Sequence, residues 1–184
     1  IGFSEGEIDV ILDPTHGKEE PDPLDIAPQQ PADQHSVTCS GDTWILGPHR
    51  IRCGNSLEEE TLCKLVGGRT VRMVLMDPPW NIRIAGNVSG LGKVKHADFA
   101  MGVGEMTRGE FTAFLRTILM LSLAHLVDGA LIYVFMDRKK LMELFVAAED
   151  AKLKVIDLCI WNKQTGGMGG FYRSQFEPCL VLKH

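Results

Sequence analysis

Apolar residues along this chain fall into two rhythms, short unbroken runs and stripes at helical spacing, and the two alternate. Short runs bounded by turn residues read as strands, and stripes repeating every three to four residues read as helices with one buried face. Residues 43–47 and 49–53 are strand-like runs split by Gly47-Pro48, a hairpin signal. Ser56 predicts the cap of a helix over 57–66, with Glu58, Glu59 and Glu60 in its first turn and Gly67-Gly68 stopping it. Residues 71–76 predict a buried parallel strand. Thr107 and Glu110 have capping-box spacing. Phe111, Phe114, Leu115, Ile118 and Leu119 follow on one helical face, up to Asp128-Gly129, and His125 reads as a structural residue of that helix. Residues 130–136 predict a second buried strand. Asp137 predicts the cap of a helix whose stripe is Leu141, Leu144, Phe145 and Ala148, with Arg138, Lys139 and Lys140 at its exposed start. Residues 154–161 and 178–182 predict two more strands. Two glycine-rich stretches, 81–106 and 162–177, lack periodicity, and loops of that length are functional or mobile. Helices alternating with apolar strands predict an α/β fold with a mostly parallel, doubly wound sheet.

Composition divides this picture in two. Residues 13–35 are rich in Pro, Asp, Glu and Gln, so 1–37 is expected to be an acidic, largely disordered linker, with one short helical turn at Ile8–Leu12, and 38–184 a single folded domain. Residues 1–34 carry nine acids and one base, Lys18; of the net charge of −5, residues 35–184 hold +3. The acidic segment therefore hides a mildly basic body. Apolar content of 45% with 23% charged residues indicates a globular chain. No apolar run approaches the length of a membrane span, and the first residues are not a signal peptide. The missing initiator Met suggests an excerpt from a longer protein. The five cysteines (Cys39, Cys53, Cys63, Cys159, Cys179) form no C-x-x-C, so they are expected to be reduced and mostly buried in a cytoplasmic protein. His and Cys never cluster at ligand spacing, so no metal site is expected.

One stretch carries chemistry. The run 71–76 ends on Asp77-Pro78-Pro79-Trp80. Two prolines remove two backbone donors and fix two φ angles, and Pro78 pushes Asp77 towards an extended conformation. A rigid acidic corner at the carboxyl end of a strand is where open α/β sheets bind ligands. The exocyclic amino group of a nucleobase is a poor nucleophile, because its lone pair is delocalised into the ring. Asp77 and the Pro78 carbonyl can accept its two hydrogens and draw the nitrogen towards tetrahedral geometry. Such acceptors gain strength as positive charge develops on the nitrogen, so they favour the transition state. Trp80 offers a face for an extracted base, worth roughly 1–3 kcal/mol, which would offset the cost of flipping it.

Asp-Pro-Pro-Trp after a hydrophobic strand resembles the catalytic motif of amino-directed DNA methyltransferases of the N6-adenine/N4-cytosine family. Asp in first place is more similar to the adenine enzymes, since cytosine enzymes usually carry Ser there. Residues 88–93 and 95–101 resemble a loop of bacterial DNA-modification methylases that follow a ParB-like domain. Residues 161–163 through 171–177 resemble the later motif lining the target-base pocket. The resemblance covers 41–184 and implies a Rossmann-like methyltransferase fold, S-adenosylmethionine as methyl donor, and double-stranded DNA as substrate. It implies catalytic roles for Asp77, Pro78, Pro79 and Trp80, and leaves room for a homodimer and a ParB-like domain ahead of residue 1. Arg83, Lys93 and Lys95 would meet phosphates, with solvated loop charge as the alternative. Phe171, Tyr172 and Arg173 would wall the base pocket, with loop packing as the alternative. Asn55 stands where relatives often carry an acid; with Asp77 it is the residue expected near the cofactor. The family's glycine-rich cofactor motif comes later in the chain than the catalytic motif, and nothing here matches it. Residues 99–104 imitate it superficially and read as a decoy. The chain is therefore expected to stop before that motif and to be inactive alone. Methylation of RNA adenine, or nucleic-acid binding without catalysis, are the rival readings.

Overall fold

A computed structural model describes residues 37–82, 101–167 and 174–184. The chain divides into two units, Ile1–Val37 and Thr38–His184, and the elements below belong to the second. They are β1 (Thr43–Leu46), β2 (His49–Arg52), α1 (Glu59–Val66), β3 (Val71–Met76), α2 (Arg108–Leu123), β4 (Leu126–Phe135), α3 (Leu141–Asp150), β5 (Lys154–Gly167) and β6 (Ser174–Lys183). β1 and β2 form the expected hairpin, a two-stranded sheet of their own. The other strands form one sheet in the order β3-β4-β6-β5.

The α/β class is the one observed, but the sheet is mixed rather than mostly parallel. β3 and β4 are parallel, joined through α2; β4–β6 and β5–β6 are antiparallel. The reason is the connection. A parallel return needs a crossover of a dozen or more residues. Gly167 and Ser174 already face each other across the ladder, with only six residues between them, so β6 must run back along β5. It then fills the place between β5 and β4.

Nor is the sheet doubly wound among the described residues, because α2 and α3 pack on each other over the same face. That face supplies Ile132, Val134, Leu180 and Leu182, all buried, against Phe111, Leu115, Leu119 and Leu144 from the helices. Burying each such side chain stabilises by about 1.5–3 kcal/mol. The opposite face follows from the register: Met73 beside Leu131, then Leu75, Tyr133, Val181 and Asp157 in one row. Met73 and Leu75 are 58% and 64% exposed there.

Local signals acted unevenly. At α2 the capping box forms as predicted: Thr107 Oγ1 accepts from the Glu110 N–H, and Glu110 accepts from the Thr107 N–H at 2.8 Å. The Thr107 N–H, and its hydroxyl after it, donate to the Glu110 carboxyl and hold it below its ordinary pKa. α1 starts later than expected and Ser56 does not cap it; Asn55 Oδ1 instead accepts from the Leu57 N–H, an Asx turn ahead of the helix. Asp137 makes the same kind of turn onto the Lys139 N–H, and α3 begins at Leu141 without a side-chain cap. α2 ends at Leu123 rather than at Gly129, which lies inside β4 with φ of 78°. His125 is thus beyond the helix; its carbonyl accepts from the Val71 N–H, while its ring Nε2 is buried without a partner among the described residues. Four of the five cysteines are exposed and only Cys179 is buried, against the expectation of mostly buried thiols. Cys63 lies on an α1 with little buried surface, and Cys159 on a strand whose outer row nothing described covers. No described helix is long and apolar enough to cross a membrane.

Candidate active site

Past the carboxyl ends of β3 and β4 the sheet opens into a cleft of about 300 Å³ lined by Leu75, Met76, Asp77, Phe135, Trp161 and Glu177. Its opening has a local cause. The Met136 N–H donates to the Pro178 carbonyl at 3.1 Å, and Pro178 has no N–H to return. The β4–β6 ladder therefore stops at Phe135 and Cys179, and the chain segments beyond it are free to part. Four segments distant in sequence thus meet, through Asp77, Phe135, Trp161 and Glu177. Phe135 and Trp161 meet edge to face, with centroids 6.1 Å apart and planes at 76°. Lys163, on β5, makes an ion pair with Glu177.

Asp77 lies at the mouth of this cleft with its carboxyl held above the ordinary Asp pKa. Desolvation by the surrounding atoms is the main cause, although the residue as a whole stays exposed. The Glu177 charge pushes the same way, and the Trp80 side chain offsets part of it. The Trp80 indole N–H comes close enough to favour the charge, yet Nε1 is buried and makes no well-formed hydrogen bond among the described residues. Pro78 is buried, and Trp80 is half-buried against the helix-side core. Trp80 is not among the cleft-lining residues; the aromatic faces there belong to Phe135 and Trp161, the latter 54% exposed.

Asn81 holds the corner. It is 3% exposed and sits in the left-handed region with φ of 53°. Its Oδ1 accepts from the N–H groups of Gly104 (2.9 Å) and Met106 (3.2 Å), and its Nδ2 donates to the Met106 carbonyl at 2.8 Å. Glu105 closes the same loop by accepting from the N–H groups of Gly102 and Val103, at 2.6 and 2.7 Å. Four amides of the 102–106 loop are therefore taken by the protein itself. Gly102, at φ of 72°, lies directly on the motif: a Cβ there would stand 2.5 Å from Pro79 Cβ. Gly102→Ala is expected to destabilise the fold by roughly 1–3 kcal/mol, through overpacking and a strained φ, and to move Pro79. Urea denaturation beside Gly68→Ala, at a similar φ of 76° but with nothing within 4 Å of its Cβ, would measure the overpacking part.

Asn55 is exposed, with its Nδ2 donating to Glu58 at 3.3 Å; it does not line the cleft. Arg83, Lys93, Lys95, Phe171, Tyr172 and Arg173 lie outside the described residues, as do Ile8–Leu12 and the linker. The structure adds Phe135, Glu177 and Asn81 to the expected site. Glu177 and Trp161 fell inside a quoted motif; Asn81-Ile82-Arg83 continues the resemblance at Asp77–Trp80, and the holding role of Asn81 could have been suspected because Asn tolerates positive φ. Phe135 had no local signal.

No protein-family pattern matches the chain, and no curated protein does. Among solved structures, M1.HpyAVI in complex with S-adenosylmethionine is similar at 13% identity and a TM-score of 0.42, over 68% of this chain and 50% of that one. M1.HpyAVI in a second structure gives 12%, 0.44, 68% and 53%. TTHA0409 of Thermus thermophilus, complexed with S-adenosyl-L-methionine, gives 14%, 0.40, 65% and 51%. The chain spans about half the length of these proteins. Likeness of this order bears on no residue and no activity of the chain.

Proposed function

We propose that this chain is the base-holding half of a DNA methyltransferase acting on the N6 amino group of adenine. The observation that carries the reading is the Asp77-Pro78-Pro79-Trp80 corner, delivered by β3 to a cleft with an exposed aromatic wall. Asp77 accepts one amino hydrogen and the Pro78 carbonyl the other. The backbone of Pro78 and Pro79 cannot swing away, and Asn81 ties it to the 102–106 loop. Both acceptors strengthen as the nitrogen becomes cationic, so they act on the transition state. Trp161 and Phe135 give the flipped base its face; Trp80 supports the Asp77 carboxylate from behind.

The donor is S-adenosylmethionine, which supplies an electrophilic methyl group on a sulfonium. The described residues fit the base rather than the donor: the loop amides are engaged by Asn81 and Glu105, and Asn55 is engaged by its own turn. The chain's own contribution is therefore to bind, strip and orient the amino group, and proximity supplies much of the rate.

A duplex incubated with the active protein and methyl-labelled S-adenosylmethionine, then digested to nucleosides, is expected to yield N6-methyladenine. N4-methylcytosine as the labelled product would replace the adenine assignment. Label entering only an RNA substrate would move the reading to RNA, and a bound but unlabelled duplex would leave a binding protein without catalysis.

A further inference from the structure

The cleft holds a second carboxylate that base holding does not use. Glu177 lines it together with Asp77, and its side chain is only 20% exposed. Two carboxylates in one small cleft repel, and one is driven to take up a proton. A protonated Asp77 would turn one oxygen into a donor and leave the other a weaker, uncharged acceptor. Lys163 stands against this outcome. Its Nζ donates to Glu177 Oε1 in a part-buried ion pair, and Lys163 is not itself a lining residue, so its charge reaches the cleft through Glu177.

Several other charged groups nearby have partners of their own; Asp157, further along the same face of β5, accepts from the Leu158 N–H at 2.8 Å. Beyond β4, the Asp137 carboxylate is turned onto the Lys139 N–H at 2.7 Å. Lys140 stands over the Phe111 ring, 5.7 Å from its centroid. On α3, Glu143 faces Arg108 at 3.9 Å. Trp80 and Phe135 bring no charge.

We propose that Lys163 is a positioning residue for Asp77 acting through Glu177: its ammonium pins and neutralises the second carboxylate, so that Asp77 alone meets the base amino group as a charged acceptor. The proposal rests on the base-holding reading of the cleft. Glu177 pushes the Asp77 carboxyl upward even with the ion pair in place, and without the ammonium its charge would no longer be paired at Oε1.

Titration of carboxyl-¹³C-labelled protein by NMR reads the Asp77 midpoint directly, without any turnover. Lys163→Met is expected to raise that midpoint by about 0.5–1 pH unit, and Lys163→Arg to leave it near wild type, since Arg keeps the charge. Glu177→Gln is expected to lower it, and to abolish the effect of Lys163→Met in the double variant. An Asp77 midpoint unmoved in folded Lys163→Met overturns the proposal; so does a shift that persists in the double variant, which would make Lys163 act directly. Should Lys163→Met not fold, Glu177→Gln decides: no change at Asp77 overturns the proposal. Deoxyadenosine added to the same samples keeps the two questions apart. Absent nucleoside binding at every pH would sink the base-holding reading, while the midpoints judge the ion pair.

Discussion

Replacing Asp77 by Ala in the active protein is expected to lower kcat for methyl transfer by at least about 10²–10³-fold, the scale on which a single preorganised electrostatic partner acts. Binding of duplex DNA, which phosphate contacts dominate, should survive. Single-turnover methylation and a filter-binding isotherm on the same preparation check both halves; methyl incorporation at the wild-type rate would remove Asp77 from its role. The pH dependence follows from the raised carboxyl. Ionised Asp77 is the stronger acceptor and carries no competing donor, so activity should fall on acidification through a midpoint above 3.8, the ordinary Asp value. Stability runs the other way. A carboxyl whose folded pKa is raised favours the fold below its unfolded value, and this contribution is lost as pH rises through the folded value. At neutral pH the ionised Asp77 therefore costs stability, and Asp77→Asn should raise Tm while activity collapses. A site that weakens the fold in order to work is the usual stability–activity trade.

The second large effect lies in the core. Phe111 is fully buried at the start of α2, stacked on Phe114 with centroids 6.0 Å apart and capped by Lys140. Phe111→Ala removes the ring's burial and leaves a hole that helix and sheet cannot fill, at a cost of about 3–5 kcal/mol. Against a typical total of about 5–15 kcal/mol, that is a large fraction. Met142→Ala, at a position 60% exposed on α3, should stay within about 0.5 kcal/mol. Thermal unfolding of the two variants side by side makes the comparison, and equal Tm values would contradict the packing described.

What could be read in advance was what local chemistry decides. The Thr107–Glu110 box, the Gly47-Pro48 hairpin, the Gly67 stop of α1 and the Asp77–Trp80 corner each depend on a few neighbouring residues. The direction of β6 depends on register between distant segments, and apolar runs alone cannot report it. A physical clue was present in the six residues between Gly167 and Ser174, too few for a crossover. Trp80 was expected to face the base because it is aromatic and follows the motif, but half of it is used against the core. Trp161, on a strand, came to the cleft by pairing with Glu177. Phe135 came by being the last residue of β4 before the ladder ends at Pro178.

The place of β6 also sets an order of events. Among the described strands it comes after both β4 and β5 in sequence, yet it lies between them, and they have no pairing with each other. Neither strand can complete its hydrogen bonds until β6 arrives, and such non-local pairings are slow to form. During synthesis the helices and the β3–β4 pair can form first, holding the Asp77 corner at the edge of a partial sheet. The corner then waits, with its aromatic wall and its ion pair still unmade, for the segment around Glu177. Closure of the described sheet should accordingly coincide with completion of the cleft.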